Sequence, residues 1–415
     1  MKGHNLAKVA WRNLWRQKRR TFLTLFSIVF GFSLAILMNA MQDQNFSDMI
    51  DLAARLGGGH VVVQHSDYID APSLKRTVTD EGLSERIQDN PHVDKVTHRI
   101  TGQIMVATAH QSTGAFFIAY DPSKEDDTTL SFLGGIKEGR LFESSDENGI
   151  VLGKKLAQNL NVKLGGKVIY TLMDKNGDIV TGLGRLRGVI ATGARGVDAG
   201  LVLLPIDKLR PGMGYAPTEV TQVAIYLNDS RKSADVASSL ISTGLGNEVS
   251  AYTWGEIQPE LKGFIAMKLG GAVVMEILIA LLVAAGIFNT IFVSVMERTR
   301  EFGILLAIGY EPLQIFSMVM FESLWLAIMG LVGGVLTIAW PYSYLAEHGI
   351  DMSSKIGEGG LDVAGIGFSP IINVGIFPEH AIYVSCAVVM ATLLAGIYPA
   401  WRAGRTVPIE SIKLV

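Results

Sequence analysis

Hydrophobic positions along this chain gather into four long runs, and polar residues return between them. Phe22 to Met41 carries no charge. A second run lies within Leu269 to Met296 with only Glu276, and a third within Leu313 to Trp340 with only Glu322. The fourth, Ala381 to Ala400, is again uncharged. A helix rises about 1.5 Å per residue, so roughly 20 apolar residues cover the hydrocarbon core of a bilayer. The pattern therefore predicts an α-helical membrane protein with four transmembrane helices, at residues 21–41, 269–296, 312–340 and 381–400. A large segment, 42–268, separates the first two spans, and shorter segments fill 1–20, 297–311, 341–380 and 401–415. A cleaved signal peptide is the other reading of the first run. Its apolar stretch exceeds the usual 7–15 residues, however, and Met38-Asn39-Ala40 is a poor cleavage site.

Helical spacing continues outside these runs. Leu6, Val9, Ala10 and Leu14 recur on one face of residues 5–20, with Trp11 and Trp15 beside them and Arg residues opposite. That is the pattern of a basic amphipathic helix lying in a membrane interface. Past the first span, Phe46, Met49, Ile50, Ala53 and Leu56 keep the 3–4 spacing until Gly57-Gly58-Gly59 ends it, which predicts a stalk. Two starts are available for the helix entering the second span: a capping box at Thr253-x-x-Glu256, or Pro259 as the first helical residue. Pro259 is the better start, because in the first case it would fall inside the helix.

The segment between spans one and two alternates short strands with a few helices. Strand-like runs are His60–Gln64, Thr101–Ala109, Gly114–Tyr120, Val168–Met173, Ile179–Val189, Leu201–Leu204 and Gln222–Leu227. Helical runs are Thr79–Gln88, with Asp80 or Thr79 near the cap, Gly153–Leu160 and Lys232–Thr243. Asn176-Gly177 between two strand-like runs is a strong hairpin signal. These elements predict a large α+β domain, or two smaller ones.

Composition and charge fit a chain shared between lipid and water. Hydrophobic residues make up 49% and charged residues 18% of 415, with a mean hydropathy of +0.32. A net charge of -3 is too small to imply nucleic acid, and the single cysteine, Cys386, allows no internal disulfide. The basic residues are unevenly placed. Lys2, Lys8, Arg12, Arg16, Lys18, Arg19 and Arg20 precede the first span, Arg298 and Arg300 lie between spans two and three, and Arg402, Arg405 and Lys413 follow the fourth. The positive-inside rule then predicts that both termini and this short connection are cytoplasmic, and that 42–268 is extracytoplasmic.

Chemistry-bearing motifs are few. Gly153-Lys154 and Gly166-Lys167 lack the Ser or Thr of a phosphate-binding loop, so ATP hydrolysis, if it drives this chain, is expected in a partner. No zinc, calcium-loop or nucleophile-elbow pattern is present, and no metal or catalytic residue is assigned. The informative stretch is Glu297-Arg298-Thr299-Arg300-Glu301-Phe302-Gly303-Ile304-Leu305-Leu306-Ala307-Ile308-Gly309. A short polar loop belongs there, yet the sequence spells a charged turn and an apolar helix, with Phe302, Leu305 and Leu306 on one face. Gly309 can end that helix and Pro312 can start the next. Either this face lies back on the membrane or the bundle, or it seats in a groove on a cytoplasmic ATPase. Glu322 lies about ten residues into the third span, where a lone carboxylate costs roughly 3 kcal/mol. It reads as a hydrogen-bonded packing residue or as a proton relay, and no second intramembrane charge offers itself as partner. In the first span, Phe26, Phe30 and Ser33 fall near one face, suited to acyl chains or to helix packing.

Taken together, these segments resemble the FtsX-like permease family of ABC transporters, which includes the lipoprotein-releasing and macrolide-exporter permeases. The resemblance rests on Ala10 to Thr21, on Lys137 to Leu141, Ile150 to Ala157 and Val162 to Gly165, on Phe288 to Gly309, on Glu322 with Gly330, and on Pro399 to Ala403. It implies a non-catalytic subunit that binds no cofactor of its own, with ATP and Mg in two copies of a separate cytoplasmic ATPase. It further implies a second permease, identical or paralogous, membrane lipids as neighbours, a periplasmic carrier or adaptor, and location in the inner membrane. ATP-driven movement would pass to the outer domain by mechanotransmission. The residues of the coupling element would be Glu297, Arg298, Arg300, Glu301, Phe302, Gly303, Leu305, Leu306 and Gly309. Length looks most like the lipoprotein-releasing branch, so a lipoprotein or lipid is the expected substrate, with an amphiphilic toxin or peptide as the alternative. A membrane-bound sensor would not need the third and fourth spans.

Overall fold

The structure, a computed structural model, describes residues 3–246, 248–351, 361–363, 366–368 and 371–405. It divides into two compact units. One comprises Met1–Asn45, Ala266–Asp351 and Ile371–Val415; the other is Phe46–Ile265 with Met352–Pro370.

The first unit is helical. An N-terminal helix, Gly3–Leu14, is followed by four long helices: Lys18–Ala53, Pro259–Glu297, Pro312–His348 and Pro378–Gly404. Each is long and apolar enough to cross a membrane. At 39 residues the second would measure about 58 Å, far more than the roughly 30 Å hydrocarbon core. The third overruns its expected end at 340 by eight residues, with Pro341 inside it; proline is tolerated in such helices when neighbours satisfy the freed carbonyl. The first and third spans approach closely. Gly330 and Gly334 lie against Ile28 and Phe32, where a Cβ would clash. That is small-residue packing, which replaces the missing hydrophobic drive between helices in lipid. The second span is the least covered: only 6% of its apolar window is buried within the chain, against 39% for the third, although Ile287, Ile291 and Val295 nearer its end are buried in the bundle.

The N-terminal helix departs from a purely interfacial role. Leu6, Ala10 and Leu14 are buried, and Trp11 packs edge-on against Trp325 of the third span at 5.0 Å. Trp325 Nε1 donates to the carbonyl of Ala7 at 3.2 Å. Val9, expected on the same apolar face, is exposed.

The second unit is α+β. Its strands are β1 (Val61–His65), β2 (Val78–Thr79), β3 (Val93–Ala107), β4 (Ser112–Tyr120), β5 (Ile136–Gly139), β6 (Ile150–Gly153), β7 (Lys167–Met173), β8 (Ile179–Ile190), β9 (Leu201–Pro205), β10 (Glu219–Val220), β11 (Gln222–Leu227) and β12 (Val249–Thr253). Ten of them form one sheet in the order β12-β1-β11-β3-β4-β9-β6-β8-β5, with β7 pairing β3 and β8. The expected hairpin is β7–β8, closed by Asp174-Lys175-Asn176-Gly177-Asp178, with Gly177 at φ 94° and Asp174 N–H donating to Asp178 O at 2.9 Å. The expected helix at Thr79–Gln88 is shorter, Leu83–Gln88, because Val78–Thr79 pairs as a strand with β10. Gly82 holds the cap position, and Asp80, two residues earlier, accepts from Ser84 N–H in the first turn at 2.8 Å. Both starts considered near residue 253 exist: Thr253 and Glu256 box a one-turn helix, Trp254–Ile257, and Pro259 opens the long one.

The end of the first stalk is fastened inside this unit. Gly57 (φ 131°) and Gly59 (φ 74°) turn the chain into β1. Gln222 Nε2 donates to Gly57 O at 2.5 Å, and His60 Nε2 lies 2.8 Å from Asp51. Because His60 Nδ1 accepts from Leu227 N–H at 2.9 Å, Nε2 carries the proton and donates to Asp51. Beneath it, fully buried Arg99 binds Glu125 through two hydrogen bonds of 2.6 and 2.7 Å and also reaches Tyr226.

Candidate functional site

The connection between spans two and three folds as expected in outline. The second-span helix ends at Glu297, Arg298 alone leaves helical geometry, and Thr299–Ala307 is a helix. Gly309 at φ 103° breaks the chain, and Glu311 with Gln314 boxes the start of the third span, with Pro312 in its first turn.

Of the two readings left open for the Phe302, Leu305 and Leu306 face of this short helix, the structure has it lying on the bundle. Phe302 and Gly303 are buried, and Leu305 and Leu306 pack against the same cluster as Ala10, Leu14, Ile315 and Ala400. Covering Phe302 contributes roughly 1.5–3 kcal/mol to holding the helix on the bundle. The face turned outward carries Arg300, Ile304, Ala307 and Ile308, at i, i+4, i+7 and i+8, followed by Gly309. Ile304 is 46% exposed and Ile308 69%. Helical periodicity pointed to the Phe302, Leu305 and Leu306 face alone and left open what covers it; the structure puts that face on the bundle and leaves Ile304 and Ile308 outside.

Glu322 has a charged partner after all. Arg298 Nη1 lies 2.9 and 3.1 Å from its two carboxylate oxygens, and Asn13 Nδ2 donates to Oε1 at 3.0 Å. The pair is nearly closed to solvent, with side-chain exposures of 13% and 12%. Arg298 Nε also reaches Glu301 at 3.3 Å, and Glu301 takes a fork of two bonds from Arg16 at 3.0 and 3.3 Å. Beside them, Arg20 and Glu297 form a second fork at 2.8 and 2.9 Å. Arg298 further lies 5.1 Å over the Phe302 ring. A cavity of about 160 Å³ adjoins the cluster, edged by Thr24, Thr290, Ser294 and Ser323. The break between the second span and the connecting helix brings Arg298 to Glu322 of the third span, 24 residues along the chain, a pairing that scanning the apolar runs for charges misses.

In the first span, Phe26 and Phe30 are exposed and stacked, with ring centroids 6.1 Å apart. Ser33 does not join them. Its hydroxyl donates to the carbonyl of Gly334 at 3.3 Å, on the packed side. A different groove opens among spans one, two and four. It encloses about 160 Å³ and is walled by small or apolar residues, among them Gly31, Ala35, Ala280, Val283 and Ala387, with Asn39, Glu276 and Tyr383 also on its lining. Among the described residues, no group of three or more His, Cys, Asp or Glu side chains gathers to hold a metal.

Two family models match the chain. The one described as MacB-like periplasmic core domain covers residues 21–243, more than half of the chain, and the one described as FtsX-like permease C-terminal covers residues 273–408. The chain belongs to the FtsX-like permease family. Similar proteins include the lipoprotein-releasing system transmembrane protein LolC of Xylella fastidiosa (strain 9a5c), 27% identical over 70% of this chain and 71% of its own length. The transmembrane protein LolE of the same kind of system, from Haemophilus influenzae, is 23% identical over 85% of each chain. The macrolide export ATP-binding/permease protein MacB of Nitrosomonas europaea is 24% identical over 84% of this chain, which spans 54% of that longer protein. This FtsX-like permease is therefore an ABC transporter permease of the LolC, LolE and MacB type. Its connecting helix, Arg298 and Glu322 all lie in the part matched as the permease C-terminal region, and all of the large sheet but its edge strand β12 lies in the part matched as the periplasmic core.

Proposed function

We propose that this permease couples ATP hydrolysis on two copies of a separate cytoplasmic ATPase to movement of its periplasmic core, and so releases a lipid-anchored protein, or a lipid, from the inner membrane. Both termini and the connecting helix would then face the cytoplasm, as the basic residues at that end favour. The observation that carries this reading is the exposed stripe Arg300, Ile304, Ala307 and Ile308 on a helix whose other face is fixed to the bundle. An apolar stripe edged by one cation is what a groove on a soluble partner can take up, and a rigid seat is what lets the partner's movement pass onward. Magnesium and ATP would be held by that partner. The sparse packing of the second span leaves room for a second permease, identical or paralogous, or for lipid.

The substrate reading rests on the apolar groove among spans one, two and four, on exposed Phe26 and Phe30, and on the relatives named for lipoprotein release. Handover to a periplasmic carrier would follow through the core domain, whose β7–β8 hairpin exposes Ile169, Met173, Ile179 and Leu183 on one face. Export of an amphiphilic molecule is the second reading, supported by the match to the macrolide exporter over 84% of this chain. The two separate in nanodiscs that hold the assembled complex. Stimulation of ATP hydrolysis by an acylated lipoprotein, but not by its unacylated form, is the expected result. Equal stimulation by both forms, or stimulation only by a macrolide, refutes the lipid-anchor reading.

A further inference from the structure

Three separate parts of the chain meet in the ion pairs around Arg298. Asn13, Arg16 and Arg20 come from the N-terminal helix and the base of the first span. Glu297, Arg298 and Glu301 come from the joint before the connecting helix, and Glu322 comes from the third span. Arg298 is also the one residue that breaks helical geometry between the second span and the connecting helix (φ −99°, ψ 9°). A joint at that point would bend if nothing held it. Here it is held on three sides: Glu322 on one, Glu301 on the second, and the Phe302 ring beneath the guanidinium.

The energetics favour a joint that moves as a unit. Exposed pairs taken singly, such as Arg16–Glu301, contribute little. The Arg298–Glu322 pair is nearly closed to water, so opening it would strand a buried charge. Forked arginine–carboxylate bonds also fix orientation as well as distance. Arg16–Glu301 therefore shares a centre that resists partial opening, and the Arg20–Glu297 fork stands beside it at the same joint.

We propose that this chain of ion pairs, from Arg16 through Glu301 and Arg298 to Glu322, together with Arg20–Glu297, positions the connecting helix. It makes the N-terminal helix and the base of the first span move as one body with that helix. None of these side chains touches the ATPase; they act through the exposed stripe. On this view the N-terminal helix is a working part of the coupling device, which its buried Leu6, Ala10 and Leu14 and the Trp11–Trp325 contact also support. The inference rests on the reading of the exposed stripe as the docking face, and its test is built to fail separately.

The test uses the full chain in nanodiscs, alone and with its ATPase. Two variants are compared with wild type: Arg20→Glu, and Arg20→Glu combined with Glu297→Arg, which restores the pair with its signs exchanged. In the chain alone, Arg20→Glu should speed amide exchange in residues 299–307, and the double variant should slow it again. In the complex, Arg20→Glu should keep the ATPase bound and hydrolysing, while substrate released per ATP falls about fivefold or more. The double variant should recover most of that ratio, which a general loss of stability would not do. Unchanged exchange in Arg20→Glu overturns the proposal whether or not an ATPase binds. So does a lost ratio that the exchanged pair fails to restore. Failure of the docking reading shows elsewhere, as an ATPase that never co-purifies with wild type.

Discussion

Replacing Ile304 and Ile308 with Glu should detach the ATPase and leave the membrane bundle standing. The structure sets the size of the effect. Full burial of an isoleucine is worth roughly 1.5–3 kcal/mol, and Ile304 still has 46% of its surface uncovered, Ile308 69%. Covering what remains would contribute about 2–3 kcal/mol together, or about 30- to 150-fold in affinity. Two carboxylates forced into an apolar groove add a further penalty, so binding should fall at least that far. Folding should be spared, because neither side chain helps cover the bundle core. Phe302→Ala is the control of opposite kind. It empties a fully buried site and should cost about 3–5 kcal/mol of bundle stability. The assay is co-purification of the ATPase with the full chain in nanodiscs, together with thermal unfolding of each variant. ATPase retained at wild-type level by the double Glu variant would refute the argument, as would a melting temperature lowered as much as by Phe302→Ala.

Other expectations follow from the same geometry. With Cys386→Ser as background, a cysteine at Asp174 should react with an impermeant thiol reagent from outside the cell and one at Thr299 should not; labelling of Thr299 from outside would invert the proposed orientation. A fragment spanning Phe46–Ile265 should fold alone, and Glu125→Gln should lower its stability by about 3–5 kcal/mol in urea titration, because Arg99 keeps its buried charge without its counter-ion. An unchanged urea midpoint would count against a charged buried pair. In the same fragment, hydrogen bonds from Lys95 and Thr128 hold the Asp126 carboxyl down at about 2. The folded value lies below the unfolded value of roughly 3.9, so the contribution is present above about pH 4 and lost as pH falls through 2. Lys95→Ala should therefore destabilise at pH 6 by under about 1 kcal/mol, since the pair is half-exposed, and the difference should shrink toward zero as pH falls through 2.

What could be read in the sequence follows the range of the interactions involved. The spans announce themselves because 20 or more consecutive apolar residues have few other solutions in water. The β7–β8 hairpin announces itself because Asn176-Gly177 acts over four residues. Strand Ile150–Gly153 and the helices Arg195–Gly200 and Ile206–Met213 did not stand out as elements. Each is short, and the strand is buried along its whole length, so it shows no alternation. The last of these helices even contains Pro211. Thr79 read as helix because its neighbours carry the cap signal, while its strand pairing with Glu219 comes from 140 residues away.

The connecting helix shows the same limit in its most consequential form. Its position, length, start and stop were all legible, since a charged turn, an apolar stretch, Gly309 and Pro312 act locally. Whether the Phe302 face lies on the bundle or meets a partner was not, because that depends on what the other helices leave open. Phe302 belongs to one buried cluster with Ile315, Val295 and Ala403, residues of three different helices. Once Phe302 is inside, the 100° step of a helix forces Leu305 and Leu306 toward the bundle and turns Ile304 and Ile308 out. Glu322 follows the same logic. Alone in an apolar run it looks like a cost without a return. Beside a helix break that delivers Arg298 to its level, it becomes the fixed point to which that break is tied. The intramembrane carboxylate and the short connecting helix, which looked like two separate anomalies in the sequence, are therefore one structural device. Glu322 holds the joint and Phe302 holds the helix, and together they leave Arg300, Ile304 and Ile308 presented to a partner.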